Sequence, residues 1–347
     1  GREAAPAREW FGVTEAGNFE GRNVLSVPAD PDEFAARHGL SDQELTVSVR
    51  EWREKLFAAR SSRVRPALDD KLLTSWNGLA IGGLADAGRA LHRRHYVDLA
   101  RDCARFLRDN AWTEGRLRHV VPARPGVPSP TGGLLEDYAL LGLGLLSLYR
   151  ATFEAEWLLW ALELADRCVE LFADPEGGFY STPVDGEELI VRPRSLSDSA
   201  LPSDSAAAAE LLVNAARLTG EYGLEEKARR AVTGVADAAR QRPTAFCNAL
   251  FVIDYLLHPP REVAVVGDEE RADTRTLLRL VQQQPLPFTV VALSDGPEDA
   301  LAGRLPFLRE RGLVDGKAAA YVCEAGACRL PVTSPDDLAR ELVEQAR

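Results

Sequence analysis

Three segments in the middle of the chain repeat one pattern of apolar and polar positions. Each begins with a short polar stretch, continues as an almost wholly apolar helix, and ends as a charged amphipathic helix. The polar stretches lie at residues 69–71 with Trp76, at residues 136–138, and at residues 202–204. A helical hairpin of this kind cannot bury both of its faces alone, so the pattern predicts hairpins stacked on their neighbours.

The two helices of each segment differ in how they distribute apolar residues. Residues 134–149 and 206–218 are apolar nearly all round, which predicts helices buried on every side. Residues 96–107 instead carry one apolar stripe opposite charged positions, which predicts a helix with one face in water. This alternation favours two concentric helical layers over a four-helix bundle, in which every helix would be amphipathic.

The remaining segments complete a fold that is mainly α, an incomplete αα-barrel with a small C-terminal α/β unit. Residues 1–40 are predicted to be an extended N-terminal arm, and residues 41–258 the helical-hairpin portion, opening at a capping box of Ser41 and Glu44. Residues 116–121 and 179–182 are strand-like pieces of the loops at 113–132 and 174–204. From 259 to 347, strands at 262–267, 288–293 and 318–323 alternate with helices at 273–284 and 335–345, which predicts a parallel sheet.

Composition narrows the range of partners. The 347 residues carry a net charge of −12, and such a surface repels nucleic acid and anionic membranes. There is no apolar run of transmembrane length and no signal-like start, so a cytoplasmic location is expected. Gly267 ends a strand before a helix, but the glycine-rich dinucleotide fingerprint is missing, and no cofactor is expected.

Several motifs resemble those of one family. Residues 69–79, which read DDKLLTSWNGL, resemble the central signature of the YyaL proteins, which are related to spermatogenesis-associated protein 20. The remaining matches are GNFEG at 17–21, Arg63 with Arg65-Pro66, DYA at 137–139, GGF at 177–179, Asp198 with Pro202-Ser203, and Cys323 with Cys328.

This resemblance implies a barrel of the six-hairpin glycosidase type. It also implies two partners outside this sequence, an upstream part of the barrel and a thioredoxin-like domain. The family usually has an asparagine where this chain has Ser205, so a role transferred to that position is weakened. The chain has fewer helical segments than six hairpins contain, which predicts an open flank of exposed apolar surface or a partner that covers it.

The polar stretches at the starts of the buried helices are the candidate site. If these helices are parallel, their N-termini meet at one end, where free N–H groups favour carboxylates and hydroxyls. Paired carboxylates beside aromatic rings suit sugar chemistry. The predicted catalytic residues are Asp69, Asp70 and Asp137. The predicted substrate-binding residues are Lys71, Trp76, Asn77, Glu136, Tyr138, Arg192, Arg194, Asp198 and Ser203.

A structural interpretation of the same residues remains open. Asp70 and Asp137 would then cap helices, and Lys71 and Arg194 would neutralise them in a buried network. The five histidines show no metal-ligand spacing, and only His119 is placed to face the barrel interior, so no metal is predicted and histidine-based epimerase chemistry is disfavoured.

Cys323 and Cys328 follow a predicted strand and lack the further ligands that zinc requires. They are interpreted as structural thiols that can come close enough to pair.

Two functions follow from this sequence. The first is a carbohydrate-active or sugar-binding αα-barrel segment with its site at the N-termini of the inner helices and a small carbohydrate as its ligand. The alternative is a non-catalytic interaction module that works with a thioredoxin-like domain absent from this chain. An enzyme should have exposed carboxylates in an open cleft near Trp76 and Tyr138, whereas a scaffold should have these groups paired and dry.

Overall fold

A computed structural model describes residues 3–122 and 132–343 of the chain. The chain divides into two compact units, Gly1–Asp69 and Asp70–Arg347. Part of the loop predicted at 113–132 and the end of the helix predicted at 335–345 lie outside the described residues.

The first unit is built from three helices, α1 (Ala4–Trp10), α2 (Pro31–His38) and α3 (Asp42–Ser61). Trp10, Phe34 and Trp52 form its small core, with ring centroids of Phe34 5.0 and 6.5 Å from the two indoles. The predicted capping box of α3 is confirmed, because Ser41 Oγ accepts from Glu44 N and Glu44 Oε2 accepts from Ser41 N. The prediction of an extended arm over 1–40 is wrong where α1 and α2 form around this core.

The second unit contains the hairpins and the sheet. Its helices are α4 (Thr74–Ala90), α5 (Arg94–Asn110), α6 (Leu135–Thr152), α7 (Ala155–Phe172), α8 (Asp204–Thr219), α9 (Tyr222–Thr233), α10 (Ala236–Gln241), α11 (Cys247–Leu257), α12 (Ala272–Gln283), α13 (Ala300–Arg304) and α14 (Pro335–Val343). Its strands are β1 (Leu72–Leu73), β2 (Trp112–Thr113), β3 (Arg116–Leu117), β4 (Val120–Val121), β5 (Arg261–Val266), β6 (Thr289–Ser294), β7 (Ala319–Glu324) and β8 (Ala327–Cys328). The strand-like piece predicted at 116–121 becomes β3 and β4, whereas 179–182 forms no strand.

The hairpins form two layers. Helices α4, α6, α8 and α11 pack side by side in an inner layer, and α5, α7 and α9 pack outside them. Helices α4 and α6 are parallel: a Cβ at Gly78 would lie 2.6 Å from Leu141 Cα, and one at Gly82 would lie 3.4 Å from Gly144 Cα. The missing side chains therefore allow α4 and α6 to approach at backbone distance, and the two-layer αα-barrel architecture is confirmed.

The inner layer is an open arc. One end of the arc is α4, which packs on α6, and the other end is α11, which packs on α8. Apolar side chains are exposed at both ends, including Leu79 on α4, Leu99 on α5, and Leu250 and Phe251 on α11. The predicted open apolar flank is therefore present in the described part of the chain.

The C-terminal sheet has the order β6-β5-β7-β8. Strands β5 and β6 are parallel as predicted, but β7 runs antiparallel to β5, so the all-parallel prediction is wrong. The connection from β6 to β7 contains the short helix α13 in place of the long crossover helix that usually joins parallel strands. Strand β8 extends β7 as a hairpin, in which Cys323 and Cys328 are joined by a disulfide.

The α/β portion packs against the C-terminal ends of the inner helices. Leu293 N donates to Tyr149 Oη at 3.2 Å, Arg217 donates to Phe288 O at 3.0 Å, and Arg89 donates to Gln282 O at 2.5 Å. The opposite end, where the inner helices begin, is not covered by this sheet, and we call that end the mouth. None of the described helices combines the length and apolar character needed to cross a membrane.

Candidate functional site

The four inner helices begin together at the mouth. Ser75 near the start of α4 contacts Asp137 near the start of α6, and Asp198, just before α8, contacts Asn248 near the start of α11. Trp76 and Tyr138 are therefore at the same end of the hairpin unit. The positions are those that the sequence predicts, but the side chains at them take different roles.

Asp137 is completely buried and its carboxylate is saturated with donors. Oδ1 accepts from Ser75 N at 2.9 Å, Oδ2 accepts from Leu134 N at 2.8 Å, and His119 Nδ1 lies 2.9 Å from Oδ2. One carboxylate thus caps the N-termini of both α4 and α6. The contacts match the capping interpretation, and a substrate cannot reach this group without displacing them.

Tyr138 and Asn77 also face the protein interior. Tyr138 is completely buried between α6 and α7, and its hydroxyl accepts from Leu117 N at 2.9 Å. Asn77 donates from Nδ2 to Leu73 O at 2.8 Å, and Cys103 Sγ donates to its Oδ1 at 3.4 Å. Both side chains hold the inner helices to their surroundings, and the structure does not present either to a ligand.

Asp198 repeats the role of Asp137 at the far end of the arc. Its Oδ1 accepts from Ser203 N and its Oδ2 from Asn248 N, each at 2.9 Å, so it ties the start of α8 to the start of α11. Ser203 is the N-cap of α8 and accepts from Ala206 N. These two predicted binding residues are helix caps in the structure.

Arg192 and Arg194 lie together on Tyr180, with guanidinium carbons 4.1 and 4.5 Å from the ring centroid. Arg194 also forms an ion pair with the buried carboxylate of Asp174, and Arg192 donates to Thr182 O. They are thus held in the 174–204 loop and, contrary to one predicted use, neither is bonded to Asp198.

Four predicted residues are exposed. Asp69 ends the first unit, Asp70 and Lys71 begin the second, and Trp76 on α4 has 57% of its surface exposed. Of the four, Trp76 is the only one on a helix of the inner layer.

Glu136 and His119 lie half-buried beside Asp137. Glu136 Oε1 accepts from Ser75 Oγ at 3.2 Å and lies 3.8 Å from His119 Nδ1. Burial, followed by the charge of Asp137, raises the pKa of Glu136 above its usual value. The hydrogen bond to Asp137 raises the pKa of His119, which favours the imidazolium form.

His119, Glu136 and Asp137 bring three possible ligand atoms within 4.8 Å of one another, which is the spacing of a metal site. However, both oxygens of Asp137 already accept backbone N–H groups. Hydrogen bonding alone explains why the three side chains approach, and the geometry does not favour a metal here.

A second group of acids lies on α8. Asp204, at the first position of α8, is buried, its Oδ1 has no hydrogen-bond partner among the described residues, and burial raises its pKa to about 6. Glu210 lies two turns farther along the helix, and burial raises its pKa to about 7. No described residue donates a hydrogen bond to the Glu210 carboxyl.

Glu210 lines a pocket of about 240 Å³ on the concave side of the inner helices, which we call the inner pocket. Small residues from three helices wall it, namely Gly78, Gly82, Gly83, Gly144 and Ala207. Asn248 also lines it, and Asn248 Nδ2 is buried without a hydrogen-bond partner among the described residues. Two polar groups that lack partners therefore border one space.

Sequence reasoning missed Glu210 as a site residue. The signal was present, because Glu210 is the first strongly polar residue after a run of alanines in an otherwise apolar helix. Asp204 opens the third repeat but was not selected, and nothing in the sequence around Asn248 distinguishes it.

No family model matches the chain. The chain is 34% identical to spermatogenesis-associated protein 20 of Homo sapiens over 352 residues and to that of Mus musculus over 355, matches that cover 96% of this chain. It spans 45% of the length of each relative. A family 76 glycoside hydrolase, a mannosidase from Bacteroides thetaiotaomicron, is 20% identical with a TM-score of 0.38 over 49% of this chain and 45% of its own. Another family 76 glycoside hydrolase, from a bovine strain of that species, is 12% identical with a TM-score of 0.43 over 81% and 58%. Likenesses of this size carry no argument about function.

Proposed function

This chain belongs to the spermatogenesis-associated protein 20 family, and on that premise we propose that its helical hairpins form a sugar-binding segment of an α/α-barrel. The ligand would be a small neutral carbohydrate in the inner pocket. Glu210 and Asn248 would hydrogen-bond its hydroxyls, and Trp76 would stack on one face of the ring.

The observation that carries this proposal is that the Glu210 carboxyl lines the inner pocket and has no described hydrogen-bond donor. Because Glu210 is half-buried and no described residue donates a hydrogen bond to it, the carboxyl is available to a ligand that enters the pocket. With its pKa raised to about 7, the carboxyl is partly protonated near neutral pH and can both donate and accept. Sugar hydroxyls do the same, whereas a cation would require the ionised form alone.

Trp76 supports the same location. Residues three and seven positions apart share one face of a helix, so Trp76 lies on the face of α4 that carries Leu79 and Gly83. Leu79 and Gly83 line the inner pocket, and Trp76 is one turn nearer the mouth. An exposed indole at the rim of a pocket is suited to stacking on a sugar ring.

The number of carboxyls favours binding over hydrolysis. Glycoside hydrolysis generally uses two carboxyl groups roughly 5 to 9.5 Å apart on either side of the scissile bond. Glu210 is the only carboxyl among the described residues that line the inner pocket. We therefore assign binding to this chain, with Glu210 as the group that would supply acid–base chemistry if another segment completed the pair.

One observation favours the alternative, an interaction module that works with a thioredoxin-like domain. Asp137 and Tyr138 are paired and dry, and Asp198 is paired, as expected of a scaffold. These residues lie between helices and leave the inner pocket open, so their pairing does not remove the sugar-binding proposal.

Isothermal titration against a panel of neutral mono- and oligosaccharides tests the proposal. We expect at least one sugar to bind, and Glu210→Gln and Trp76→Ala each to weaken it by about tenfold or more, equivalent to about 1.4 kcal/mol. Glu163→Gln removes an exposed carboxyl from α7 and should leave binding unchanged. If no sugar in the panel binds, or if Glu210→Gln binds as well as the wild type, the interaction module becomes the better assignment.

A further inference from the structure

The two sulfurs of the disulfide between β7 and β8 differ in their exposure to solvent. Cys323 and Cys328 are directly opposite each other in the register of the two strands, and Ala325 and Gly326 form the turn with positive φ angles of 49° and 80°. Cys323 is 1% exposed, whereas Cys328 lies on the exposed strand β8. An attacking group in solvent therefore meets Cys328 first.

A fixed guanidinium lies beside this disulfide. Arg311 Nη2 is 2.8 Å from Cys328 Sγ and 3.8 Å from Cys323 Sγ. Arg311 is held there by donation from Nε to Phe307 O at 3.4 Å and by the ring of Tyr321, whose centroid is 4.8 Å from the guanidinium carbon. A neutral disulfide is a weak acceptor and gains little from a cation, whereas a thiolate gains a great deal.

We propose that Cys323 and Cys328 form a thiol–disulfide exchange site, in which Arg311 stabilises the thiolates that form when an external dithiol reduces the pair. The site is separate from the inner pocket and does not depend on the sugar-binding proposal.

The exchange is balanced with a dithiol as the reductant. One thiolate of the dithiol attacks Cys328 Sγ, which forms a mixed disulfide and releases Cys323 as a thiolate beside Arg311. The second thiol of the reductant, as its thiolate, then attacks the reductant's own sulfur in the mixed disulfide and releases Cys328 as a thiolate. The products are one oxidised reductant and two cysteine thiols, and the two protons of the dithiol end on these cysteines or in solvent.

A carboxylate near the disulfide opposes the stabilising effect of Arg311 on a thiolate. Glu262 of β5 is directly opposite Cys323, so the two side chains lie on the same face of the sheet. Burial raises the pKa of Glu262, while the charges of Arg311 and of Arg217 on α8 lower it. Glu262 opposes a thiolate at Cys323 when it is ionised, and Arg311 is the cation in contact with both sulfurs.

The test is carried out on the folded chain in a Cys247→Ser background, because Cys247 is an exposed free thiol. The protein is equilibrated with dithiothreitol, and the pH dependence of the iodoacetamide reaction at Cys328 is followed by peptide mass spectrometry. We expect the pair to be reduced without denaturant, and the thiolate to form below the usual thiol pKa of about 8.5. Arg311→Gln should shift this profile upward by about one unit, a tenfold loss of rate near neutral pH, and Arg311→Lys should restore most of it.

Arg309→Gln is the matched control, because Arg309 is two residues away and donates to the carbonyl oxygens of Ala302 and Gly303 instead of to sulfur. A disulfide that resists dithiothreitol until the protein is unfolded would overturn the proposal in favour of a purely structural crosslink. A profile that is the same in Arg311→Gln and in Arg309→Gln would overturn it as well.

Discussion

Hydrogen-bond donors separate the two roles that a carboxylate on the inner helices can have. Asp137 has two backbone donors and an imidazole on its oxygens, which makes it a structural cap, whereas Glu210 lacks any donor among the described residues. The sequence shows which acids lie near helix starts, but it does not show which of them point between the layers. That direction depends on how neighbouring helices rotate about their axes, so the predicted roles of Asp137, Tyr138 and Asp198 could not be separated beforehand.

Replacing Asp137 with alanine should destabilise the fold strongly. The substitution leaves the buried Ser75 N and the part-buried Leu134 N without an acceptor, and a buried unsatisfied group costs about 1–3 kcal/mol. We expect a loss of about 3 kcal/mol or more in the free energy of unfolding measured with urea. Asp109→Ala, which removes an exposed carboxylate from α5, should change it by less than about 0.5 kcal/mol. Equal effects would show that Asp137 is not a cap.

His119 should contribute stability that depends on pH. Its pKa is raised in the folded state by the hydrogen bond to Asp137, so the contribution is complete below the ordinary value of 6.5 and is lost as the pH rises through the folded value. The difference in unfolding free energy between the wild type and His119→Gln should therefore shrink as the pH rises above about 6.5. A difference that grows over this range would contradict the assignment. His95→Gln, at an exposed position, controls for the loss of an imidazole.

Glu210 should reduce stability at high pH. Its folded pKa of about 7 exceeds the ordinary value of 4.5. The free energy of unfolding is therefore highest below about pH 4.5 and falls as the pH rises to about 7. Glu210→Gln should gain on the order of 2–3 kcal/mol at about pH 8 and almost nothing at about pH 4. Thermal unfolding at the two pH values measures this. A variant that is less stable at pH 8 would show that the carboxylate has a partner within the fold.

At the scale of elements, the helices of the hairpins were predictable because apolar periodicity decides them directly. The two helices in residues 1–40 were not, since their sequences are short and their burial depends on contacts with α3 that are distant in the chain. The direction of β7 was also missed, because no long helix lies between β6 and β7, and apolar periodicity alone does not fix the direction in which a strand joins a sheet.

The packing of α4 on α6 depends on particular glycines. Alanine at Gly78 would place a Cβ 2.6 Å from the backbone of Leu141, which cannot move without moving α6. Gly78→Ala should therefore cost about 1–3 kcal/mol despite the better helix propensity of alanine. Gly83 on the same helix has nothing within 4 Å of the added atom, and Gly83→Ala should be neutral or stabilising by up to about 1 kcal/mol. Urea denaturation of the Gly78→Ala and Gly83→Ala variants measures whether the close approach of α4 to α6 determines the loss of stability.

At the scale of the whole molecule, the segment between the two units should be the first site of proteolysis. Residues 62–71 contain no helix, are exposed throughout, and include Arg63, which trypsin can cleave. Brief digestion should therefore yield a fragment that begins at residue 64, identified by mass spectrometry, and Arg63→Gln should delay its appearance. A first cut inside α4–α11 would mean that the hairpins open more readily than this segment.

The shared caps have a consequence for how the hairpins come apart. Asp137 accepts hydrogen bonds from the starts of α4 and α6, and Asp198 from the starts of α8 and α11. Each carboxylate is therefore shared by two neighbouring parts of the hairpin array. A repeat array that is held only by apolar contacts can fray one repeat at a time from its ends. Here, opening one helix of such a pair leaves the shared carboxylate with only part of its hydrogen bonds, which couples its opening to that of the other helix. The two hairpins that share Asp137 should accordingly unfold together, and so should α8 and α11, although the sequence reads as a string of repeats.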